Sequence, residues 1–343
     1  MPASETQNES MFADVGFSSV IQTITEEIRE LYLRDDVPWV IGYSGGKDST
    51  TVLQLIWTAI AELEPEKRHK TVHVITTDTL VENPIVSEWV RRSLDRLGSA
   101  AESEDMPFEG HLLTPAIRDT FWVNLIGKGY PAPRHKFRWC TERLKIKPTN
   151  KFIRDMVSEH GEAILSLGVR KAESAARAKS IERRQEKSVR DRLTMHVHLK
   201  NCLVYTPIEE WTDDDVWVFL MRSPNPWGHS NKDLLSMYRG ATEDNECPLV
   251  VDTSTPSCGN SRFGCWVCTL VDQDKSMAAM IQNDREKEWM LPLLELRNEL
   301  DFRSEEDRQR DRDRRDFRRL SGHLSYYKGR DGEVKLVPGP YTR

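Results

Sequence analysis

The chain has 343 residues, of which 38% are hydrophobic and 30% are charged. This length is enough for one large domain or two of ordinary size, and either choice buries a substantial core. The formal net charge is −6 and the sequence pI is about 5.9, whereas a protein that binds nucleic acid through electrostatics alone is usually basic. The composition therefore excludes a generally basic nucleic-acid binder, and any polyanion must be met by a local patch or a partner subunit.

Hydropathy and the first residues indicate the compartment. No stretch approaches the roughly 18 apolar residues that cross a bilayer, and residues 1–10 are polar and acidic, unlike a signal peptide. We therefore expect a cytoplasmic protein with no membrane partner, in a compartment where thiols stay reduced. There, clustering of the six cysteines favours metal or catalytic ligands over disulfides.

Helices and strands alternate along the N-terminal part of the chain. Apolar residues at helical spacing or in short buried runs define these elements. The alternation predicts an α/β fold, a parallel sheet with helices on both faces. The predicted helices cover residues 17–33, 49–63, 84–97, 144–157 and 172–187, and the predicted strands cover residues 38–43, 71–76 and 163–168.

The pattern changes further along the chain. Thr212 precedes three aspartates and predicts a helix start, with the threonine as N-cap and the acids at the positive end of the helix dipole. Residues 223–270 show no clear periodicity, which a fold organised by a metal would explain. Residues 301–319 hold eight arginines and seven acids, and we interpret them as a solvated helix face with ion pairs. We therefore predict a domain over residues 15–205 and a smaller cysteine-rich region with a charged C-terminal helix over residues 206–343.

A glycine-rich loop joins the first predicted strand to the helix that follows. Glycines let successive backbone N–H groups point at a phosphate, and the helix N-terminus adds partial positive charge. The spacing is neither the Walker A pattern nor the dinucleotide-binding pattern, so the alternative is a Gly-Gly turn that happens to precede a helix. The loop also supplies a lysine and two hydroxyl donors in the order Ser44, Gly45, Gly46, Lys47, Asp48, Ser49.

This loop resembles the signature of the PP-loop ATP pyrophosphatases, which cleave the α–β bond of ATP to adenylylate a substrate. The resemblance implies ATP and Mg²⁺ as cofactors, and it gives Lys47 and Arg170 catalytic roles. It also assigns nucleotide binding to the loop and to Asp78, Thr79, Gly168 and Arg170. Further motifs narrow the resemblance to the phosphoadenylyl-sulfate reductase group: Thr77–Thr79 with Glu82, Cys140–Pro148, Gly168–Arg170 with Glu173, Ser174 and Arg177, and Pro207–Trp217.

Two of these assignments also have a physical reason. Asp78 and Arg170 each follow the end of a predicted parallel strand, where open α/β sheets bind ligands. Asp78 could hold the nucleotide directly or through Mg²⁺, and the alternative is a helix N-cap. Arg170 could bind phosphates through two N–H groups, and the alternative is a surface ion pair.

Four cysteines form a cluster in the second half of the chain. Cys247, Cys258, Cys265 and Cys268 lie within 22 residues, and the last two form a Cys-x-x-Cys pair. Four thiolates fit tetrahedral zinc or a [4Fe–4S] cluster. Zinc ribbons have two close pairs and this chain has one, which mildly favours iron–sulfur. The alternative is four unrelated buried thiols.

The residues around these cysteines resemble the DndC-type proteins of DNA phosphorothioate modification, as does Pro338–Tyr341; the counterpart in single-strand phosphorothioation systems is an equal match. The resemblance implies a [4Fe–4S] cluster on the four cysteines. It also implies DNA, a cysteine desulfurase that donates sulfur, and other phosphorothioation subunits as partners. The residues that carry it are Glu246–Pro248 and Ser257–Thr269.

Cys140 has two interpretations. This segment resembles one in the reductase group in which a Cys-Cys pair ligates an iron–sulfur cluster. In this chain the residue before Cys140 is Trp139, so the pair is broken. Cys140 could therefore carry a persulfide, with nearby Arg and Lys side chains lowering its pKa, or it could be a quiet thiol. We interpret Cys202, beside a strand-like run, as structural. Two basic segments, residues 134–147 and 177–192, could contact either DNA or the ATP phosphates.

The resemblance implies an ATP pyrophosphatase and sulfurtransferase with a two-step mechanism. A backbone phosphate oxygen of DNA attacks the α-phosphorus of ATP and pyrophosphate leaves; sulfur then displaces AMP. Two other functions compete with it. One is a reductase of adenylylated sulfate, which often carries a C-terminal redox cysteine, but no cysteine follows Cys268. The other is a DNA-binding iron–sulfur protein that only senses ATP.

Overall fold

The computed structural model describes residues 10–135, 137–185, 188–190, 192–242, 263–329 and 332–342. The chain forms two compact units, each built from separate segments. The first unit comprises residues 1–77, 85–113 and 149–263, and the second comprises residues 78–84, 114–148 and 264–343. These segments alternate along the chain. The predicted domain boundary between residues 205 and 206 stays a prediction.

The first unit contains a seven-stranded sheet in the order β3-β2-β1-β4-β7-β6-β5. Strands β1, β2, β3, β4 and β7 are parallel, and β5 and β6 add to one edge in antiparallel pairing. The α/β fold class is therefore confirmed. The strands are β1 Trp39–Gly42, β2 Val72–Thr77, β3 Phe108–Leu113, β4 Ala163–Ser166, β5 Ser188–Arg190, β6 Leu193–Met195 and β7 Cys202–Tyr205.

Helices cover both faces of this sheet. On one face, Trp39 and Ile41 of β1 pack into a large core with apolar residues of α1, α2, α3, α6 and α7. On the other face, Val40 of β1 packs with residues of α4, because successive strand side chains alternate between the two faces. The helices are α1 Phe17–Leu33, α2 Lys47–Ala61, α3 Pro84–Ser103, α4 Lys147–His160, α5 Ala175–Gln185, α6 Asp213–Arg222 and α7 Asn231–Gly240.

Several predicted elements have the expected bounds and others do not. Helix α1 covers the residues predicted for it. Helix α6 begins after Thr212, whose side chain accepts a hydrogen bond from the Asp215 N–H as predicted for an N-cap. The expectation that residues 223–270 hold no periodic element is wrong, because α7 lies there with Ser230 as its N-cap. Strands β3, β5, β6 and β7 were not among the predicted strands.

The second unit consists of short helices, turns and one hairpin. Two single-turn π-helices, Val123–Gly127 and Thr141–Ile146, occupy its N-terminal part. The predicted charged helix over residues 301–319 is shorter than expected, and its Asp311 is buried rather than solvated. The α-helices of this unit are α8 Lys275–Asn283, α9 Leu291–Glu299 and α10 Glu305–Asp313, and the hairpin pairs β8 Tyr326–Lys328 with β9 Val334–Leu336. None of the helices in the described part of the chain has the length and apolarity needed to span a bilayer.

Candidate active site and cysteine site

The glycine-rich loop connects β1 to the first turn of α2. Its two serine hydroxyls lie 3.1 Å apart, and Ser49 Oγ donates to the Gly46 carbonyl oxygen at 3.0 Å. The Ser44 N–H donates to Ser49 Oγ at 3.2 Å. These bonds fold the loop back on the start of α2, so that the loop lies at the positive end of the helix dipole, which favours an anion.

Two glycines of the loop meet specific neighbours. Gly45 has φ +73°, a conformation that side-chain-bearing residues rarely adopt. Its carbonyl oxygen accepts a hydrogen bond from Trp89 Nε1 at 3.1 Å. A Cβ on Gly46 would lie 3.1 Å from the Tyr238 hydroxyl, which itself accepts from the Lys47 N–H at 3.3 Å. Trp89 and Tyr238 thus fix the loop from two helices.

Gly168 follows β4 and lies against the backbone of the loop. A Cβ at this position would lie 2.7 Å from both the carbonyl carbon and the carbonyl oxygen of Asp48, and 3.0 Å from the Ser49 nitrogen. Backbone atoms cannot move away as a flexible side chain can. Glycine at residue 168 is therefore a steric requirement of the loop position, a role that differs from direct phosphate contact.

Arg170 is 1% exposed and all three of its side-chain nitrogens donate to protein oxygens. Nε donates to Asp48 Oδ1 at 2.6 Å, Nη1 donates to the Trp211 carbonyl oxygen at 3.2 Å, and Nη2 donates to Asp213 Oδ1. Arg170 therefore positions the two carboxylates beside the loop. Its contact with phosphates stays a prediction.

Lys47 lies in the same group of charges. Its Nζ is 3.5 Å from Asp48 Oδ2 and 3.5 Å from Asp213 Oδ1. Burial alone would lower the pKa of Lys47, but Asp48, Tyr238 and Asp213 raise it above the ordinary value against an opposing contribution from Arg170. The Lys47 ammonium is therefore charged at neutral pH and directed by two carboxylates.

Three residues of this site were missed by sequence reasoning. Asp213 was placed within the Pro207–Trp217 motif but interpreted only as a dipole partner of α6. Tyr238 lies in the stretch without predicted elements, and Trp89 was not singled out. The one available signal was the run of three aspartates after Thr212. Nothing in that run distinguishes Asp213, the member that pairs with Lys47 and Arg170.

A separate group of side chains surrounds Cys265 in the second unit. The Asn83 N–H donates to the Gly264 carbonyl oxygen at 3.1 Å, and the Trp266 N–H donates to the Val81 carbonyl oxygen at 2.9 Å. These bonds place Cys265 Sγ 3.3 Å from the Thr79 hydroxyl and 3.8 Å from Glu82 Oε1. The cysteine-bearing turn is thus held against residues 78–84.

Asp78 and Thr79 have local partners within this segment. Asp78 Oδ1 accepts from the Leu80 N–H at 2.8 Å. Thr79 is fully buried, and its hydroxyl donates to Glu82 Oε1 at 3.1 Å as well as contacting Cys265. Nucleotide binding by Asp78 and Thr79 stays a prediction. The structure associates Thr79 with a thiol that sequence reasoning had treated separately.

Cys140, Cys265 and Cys268 interact electrostatically in the second unit. Burial raises the pKa of the Cys140 thiol, and Cys268 adds to this, against an opposing hydrogen bond with Thr141. The expectation that the basic segment lowers this pKa is wrong in direction. Burial outweighs the nearby cations, and one of them, Arg143, donates to Asn124 and Tyr130.

Lys145 carries the positive charge of this cysteine site. Its Nζ lies 3.1 Å from Glu82 Oε1. Burial would lower the pKa of Lys145, but Cys265, Glu82 and Cys268 raise it overall. Burial, with Glu82, raises the pKa of Cys265 to about 12, and Lys145 opposes this. Metals and iron–sulfur clusters bind thiolates, so loading of this site would release protons.

The donor set fits a metal or cluster. The partly buried thiols of Cys265 and Cys268, with the ammonium group of Lys145, offer soft ligands and a compensating charge. Cys247 and Cys258 lie outside the described residues, so the predicted four-cysteine ligand set stays a prediction. Cys202 is buried in β7.

Arg297 holds the turn that follows Cys268. It is 1% exposed, and its Nε donates to the Cys268 carbonyl oxygen at 3.0 Å. Its two other nitrogens donate to the carbonyl oxygens of Val271 and Asp272, and it pairs with Asp301 at 3.1 Å. One buried side chain therefore fixes the backbone of Cys268, Val271 and Asp272.

A comparison of the sequence with protein families matches residues 38–270 to the phosphoadenosine phosphosulfate reductase domain. The match covers more than half of the chain, including the loop, Gly168, Arg170, Asp213 and the cysteines. The chain belongs to this family.

The similar proteins match nearly the same share of this chain but very different shares of their own length. An uncharacterized protein of Methanocaldococcus jannaschii is 27% identical over 203 residues, which is 58% of this chain and 35% of that protein. The chain thus spans about a third of the curated relative's length. The phosphoadenylyl-sulfate reductase of Candida auris, solved with phosphate, is 12% identical, with 60% of this chain and 84% of that chain covered and a TM-score of 0.36. The U34-tRNA thiolase NcsA of Methanococcus maripaludis, solved with its [4Fe–4S] cluster, is 16% identical, with 60% and 63% covered and a TM-score of 0.38.

The two basic segments, residues 134–147 and 177–192, contain many ion pairs. Paired cations offer less net positive charge to a polyanion than the sequence suggests. DNA contact by these segments stays a prediction. The pairs are Arg134 with Asp311, Lys145 with Glu82, Lys147 with Asp119, Arg177 with Glu173, Arg190 with Glu162, and Arg192 with Glu27 and Glu30.

Proposed function

We propose that the protein is an ATP pyrophosphatase and sulfurtransferase that replaces a non-bridging oxygen of the DNA backbone by sulfur. The observation that carries the ATP part is the loop Ser44–Ser49, folded onto the start of α2 with Lys47 charged beside it. Membership of a family named for a phosphoadenosine phosphosulfate substrate supports an adenine nucleotide at this loop.

In the first step of the proposed reaction, a phosphate oxygen of DNA attacks the α-phosphorus of ATP, and pyrophosphate leaves. The loop N–H groups and the dipole of α2 stabilise negative charge on the polyphosphate. Lys47, directed by Asp48 and Asp213, neutralises the charge that develops on the leaving pyrophosphate. When bound with ATP, Mg²⁺ would supply further positive charge at the phosphates. Arg170 keeps both carboxylates in place.

In the second step, sulfur displaces AMP from the activated phosphate. The sulfur comes from a cysteine desulfurase and reaches the site through Cys140 or through the cluster. If Cys140 carries it as a persulfide, the terminal sulfur attacks phosphorus and AMP leaves. A second thiolate then attacks the Cys140 sulfur, which releases the phosphorothioate and leaves a disulfide that a cellular thiol must reduce. The proximity of Cys140 to Cys268 in the second unit supports either route.

The [4Fe–4S] cluster and the DNA substrate rest on the sequence resemblance to DndC-type proteins. The cluster would be held by Cys247, Cys258, Cys265 and Cys268, and it would supply thiolate-bound iron that can take part in sulfur or electron transfer. The grouping of Cys265 with Cys268, Lys145 and Glu82 supports a ligand site at this end of the set.

One experiment tests the substrate and the sulfur carrier together. Cells that lack the gene are supplied with the wild-type gene, with Cys140→Ser or with Cys202→Ser, and their DNA is digested and analysed by mass spectrometry for phosphorothioate dinucleotides. Wild type and Cys202→Ser, a matched change at a buried structural thiol, are expected to restore them, whereas Cys140→Ser is not. Absence of phosphorothioates with the wild-type gene, its partner subunits present, contradicts DNA as substrate.

Iron analysis of the purified variants separates the two roles of Cys140. If Cys140 carries sulfur, anaerobically purified Cys140→Ser keeps its iron and its release of pyrophosphate. Loss of iron in Cys140→Ser would make Cys140 a ligand instead. Normal DNA sulfuration in this variant would make Cys140 a bystander and leave the cluster or another subunit as the sulfur carrier. Stoichiometric zinc in a colourless preparation of the wild type would refute the cluster.

A further inference from the structure

Two neighbouring strands of the sheet bring two imidazoles and a carboxylate together, away from every residue used above. His73 of β2 is the register partner of Glu109 of β3, and His111 follows two residues along β3 on the same face. The parallel pairing therefore dictates that the three side chains emerge side by side. Strand β3 is the edge of the sheet, so this face is open to solvent beyond it.

The ligand atoms of the three residues face one another. His73 Nδ1 lies 3.0 Å from His111 Nε2, and Glu109 Oε2 lies 3.7 Å from each of these nitrogens. A tetrahedral ion with bonds of about 2.0–2.1 Å places its ligands about 3.3 Å apart. The observed separations bracket that value, so an ion can be accommodated by small side-chain shifts. Among the described residues, these three form the group of His, Cys, Asp or Glu side chains whose ligand atoms all lie within 4.8 Å of one another.

The three side chains lie in a site that is partly enclosed by the fold. The side chains of His73, His111 and Glu109 are 12%, 29% and 60% exposed, so the site is closed on one side and accessible on the other. The Phe152 ring of α4 packs 5.8 Å from the ring of His73 and 4.9 Å from that of His111. It orients both rings and forms an apolar wall.

We propose that His73, Glu109 and His111 form a binding site for a divalent transition-metal ion of the zinc type. Two imidazole nitrogens and one carboxylate oxygen suit Zn²⁺ and its first-row neighbours better than Mg²⁺ or Ca²⁺, which prefer oxygen ligands. Water completes the coordination on the exposed side. The ion links edge strand β3 to β2, the strand whose end leads into residues 78–84, and it is independent of the ATP and cysteine chemistry proposed above.

Cobalt is the probe that separates this site from the cysteines. Tag-free protein carrying its iron–sulfur cluster is titrated anaerobically with Co²⁺ and followed by its visible spectrum. Binding at the two histidines gives weak d–d bands without thiolate-to-cobalt charge transfer, whereas binding at cysteine gives strong charge-transfer absorption. One equivalent that binds with d–d bands alone is the expected result. Charge-transfer absorption alone, or no uptake, overturns the proposal.

Variants assign the ligands. Loss of an outer-shell partner already weakens metal binding by about 10–100-fold, so Glu109→Gln and His111→Asn are each expected to lower Co²⁺ affinity by at least about tenfold. His69→Gln is the matched control, because His69 is an exposed histidine that pairs with Asp36 at 3.4 Å and lies outside the proposed ligand set. Glu109→Gln keeps the histidine pair, so its folding is not at issue. Unchanged affinity in Glu109→Gln and His111→Asn refutes the site.

A stability readout completes the test. Zn²⁺ stabilises a protein that binds it only when folded. The unfolding midpoint of the wild type is therefore expected to rise with Zn²⁺ and that of His111→Asn is not. An equal rise in both proteins would assign the effect to other residues and contradict the proposal.

Discussion

Replacement of Arg170 by methionine tests whether this buried cation holds the loop site together. Methionine keeps much of the length of the side chain but removes three donors, which leaves Asp48 and Asp213 without their shortest contacts. Removing one partner of a buried ion pair costs about 3–5 kcal/mol. The Asp48 and Asp213 side chains are 22% and 30% exposed, and Lys47 stays 3.5 Å from each. Water and Lys47 therefore compensate in part, and we expect a loss of about 3 kcal/mol in the free energy of unfolding.

Urea unfolding followed by tryptophan fluorescence measures this loss. Arg177→Met is the matched control, because Arg177 is 44% exposed in a pair with Glu173 at 2.8 Å, and its loss should change the free energy of unfolding by less than about 1 kcal/mol. Arg170→Lys, which keeps one cationic donor group, is expected to fall between the two. A loss below about 1 kcal/mol in Arg170→Met would refute the role of Arg170 as a buried positioning residue.

Three further substitutions test individual packing and burial features of the structure. Gly168→Ala places a methyl group 2.7 Å from the Asp48 backbone. It is expected to lower the free energy of unfolding by about 1–3 kcal/mol and to lower the rate of ATP cleavage. An unaltered rate of cleavage would contradict the close packing. Arg297→Met frees the turn after Cys268, so anaerobically purified protein should contain less iron per chain, and full iron would show that this clamp is dispensable. Burial, with Arg96, lowers the pKa of His229 to about 4. As the pH drops, the unfolded chain therefore binds the proton before the folded protein does. The free energy of unfolding should fall between about pH 6.5 and pH 4, by up to about 1.4 kcal/mol per pH unit. His229→Gln should flatten that part of the stability profile, and an unchanged slope would assign it to other groups.

Sequence reasoning predicted the parts of the fold that are specified locally. Strand β1, the loop and α2 were predicted because an apolar run, two glycines and a second apolar run follow one another directly. Strand β3 was missed because its sequence, Phe108–Leu113, carries exposed polar residues at the sheet edge and lacks a continuous apolar run. Burial of only part of a strand weakens the pattern that identifies it.

The candidate site depended more on contacts between distant residues. Arg170 lies 43 positions before Asp213, and Tyr238 lies 191 positions after Lys47. No local spacing identifies such partners, so sequence reasoning could not foresee that Arg170 is buried in an ion pair. The same holds for Asp311, whose partners Arg134 and Tyr341 come from other segments of the second unit. It also holds for the raised pKa of Cys140, which burial determines.

Analysis of the products of ATP tests the central claim most directly. Purified protein is incubated anaerobically with Mg²⁺, host DNA and ATP labelled in the α- or the γ-phosphate, and the products are separated. The proposed chemistry predicts AMP and pyrophosphate. The rate in Lys47→Ala should be lower by at least about 100-fold, because that variant lacks the charge that stabilises the leaving group. Release of ADP and orthophosphate, or an undiminished rate in Lys47→Ala, would contradict the assignment of the loop as a site of α–β bond cleavage.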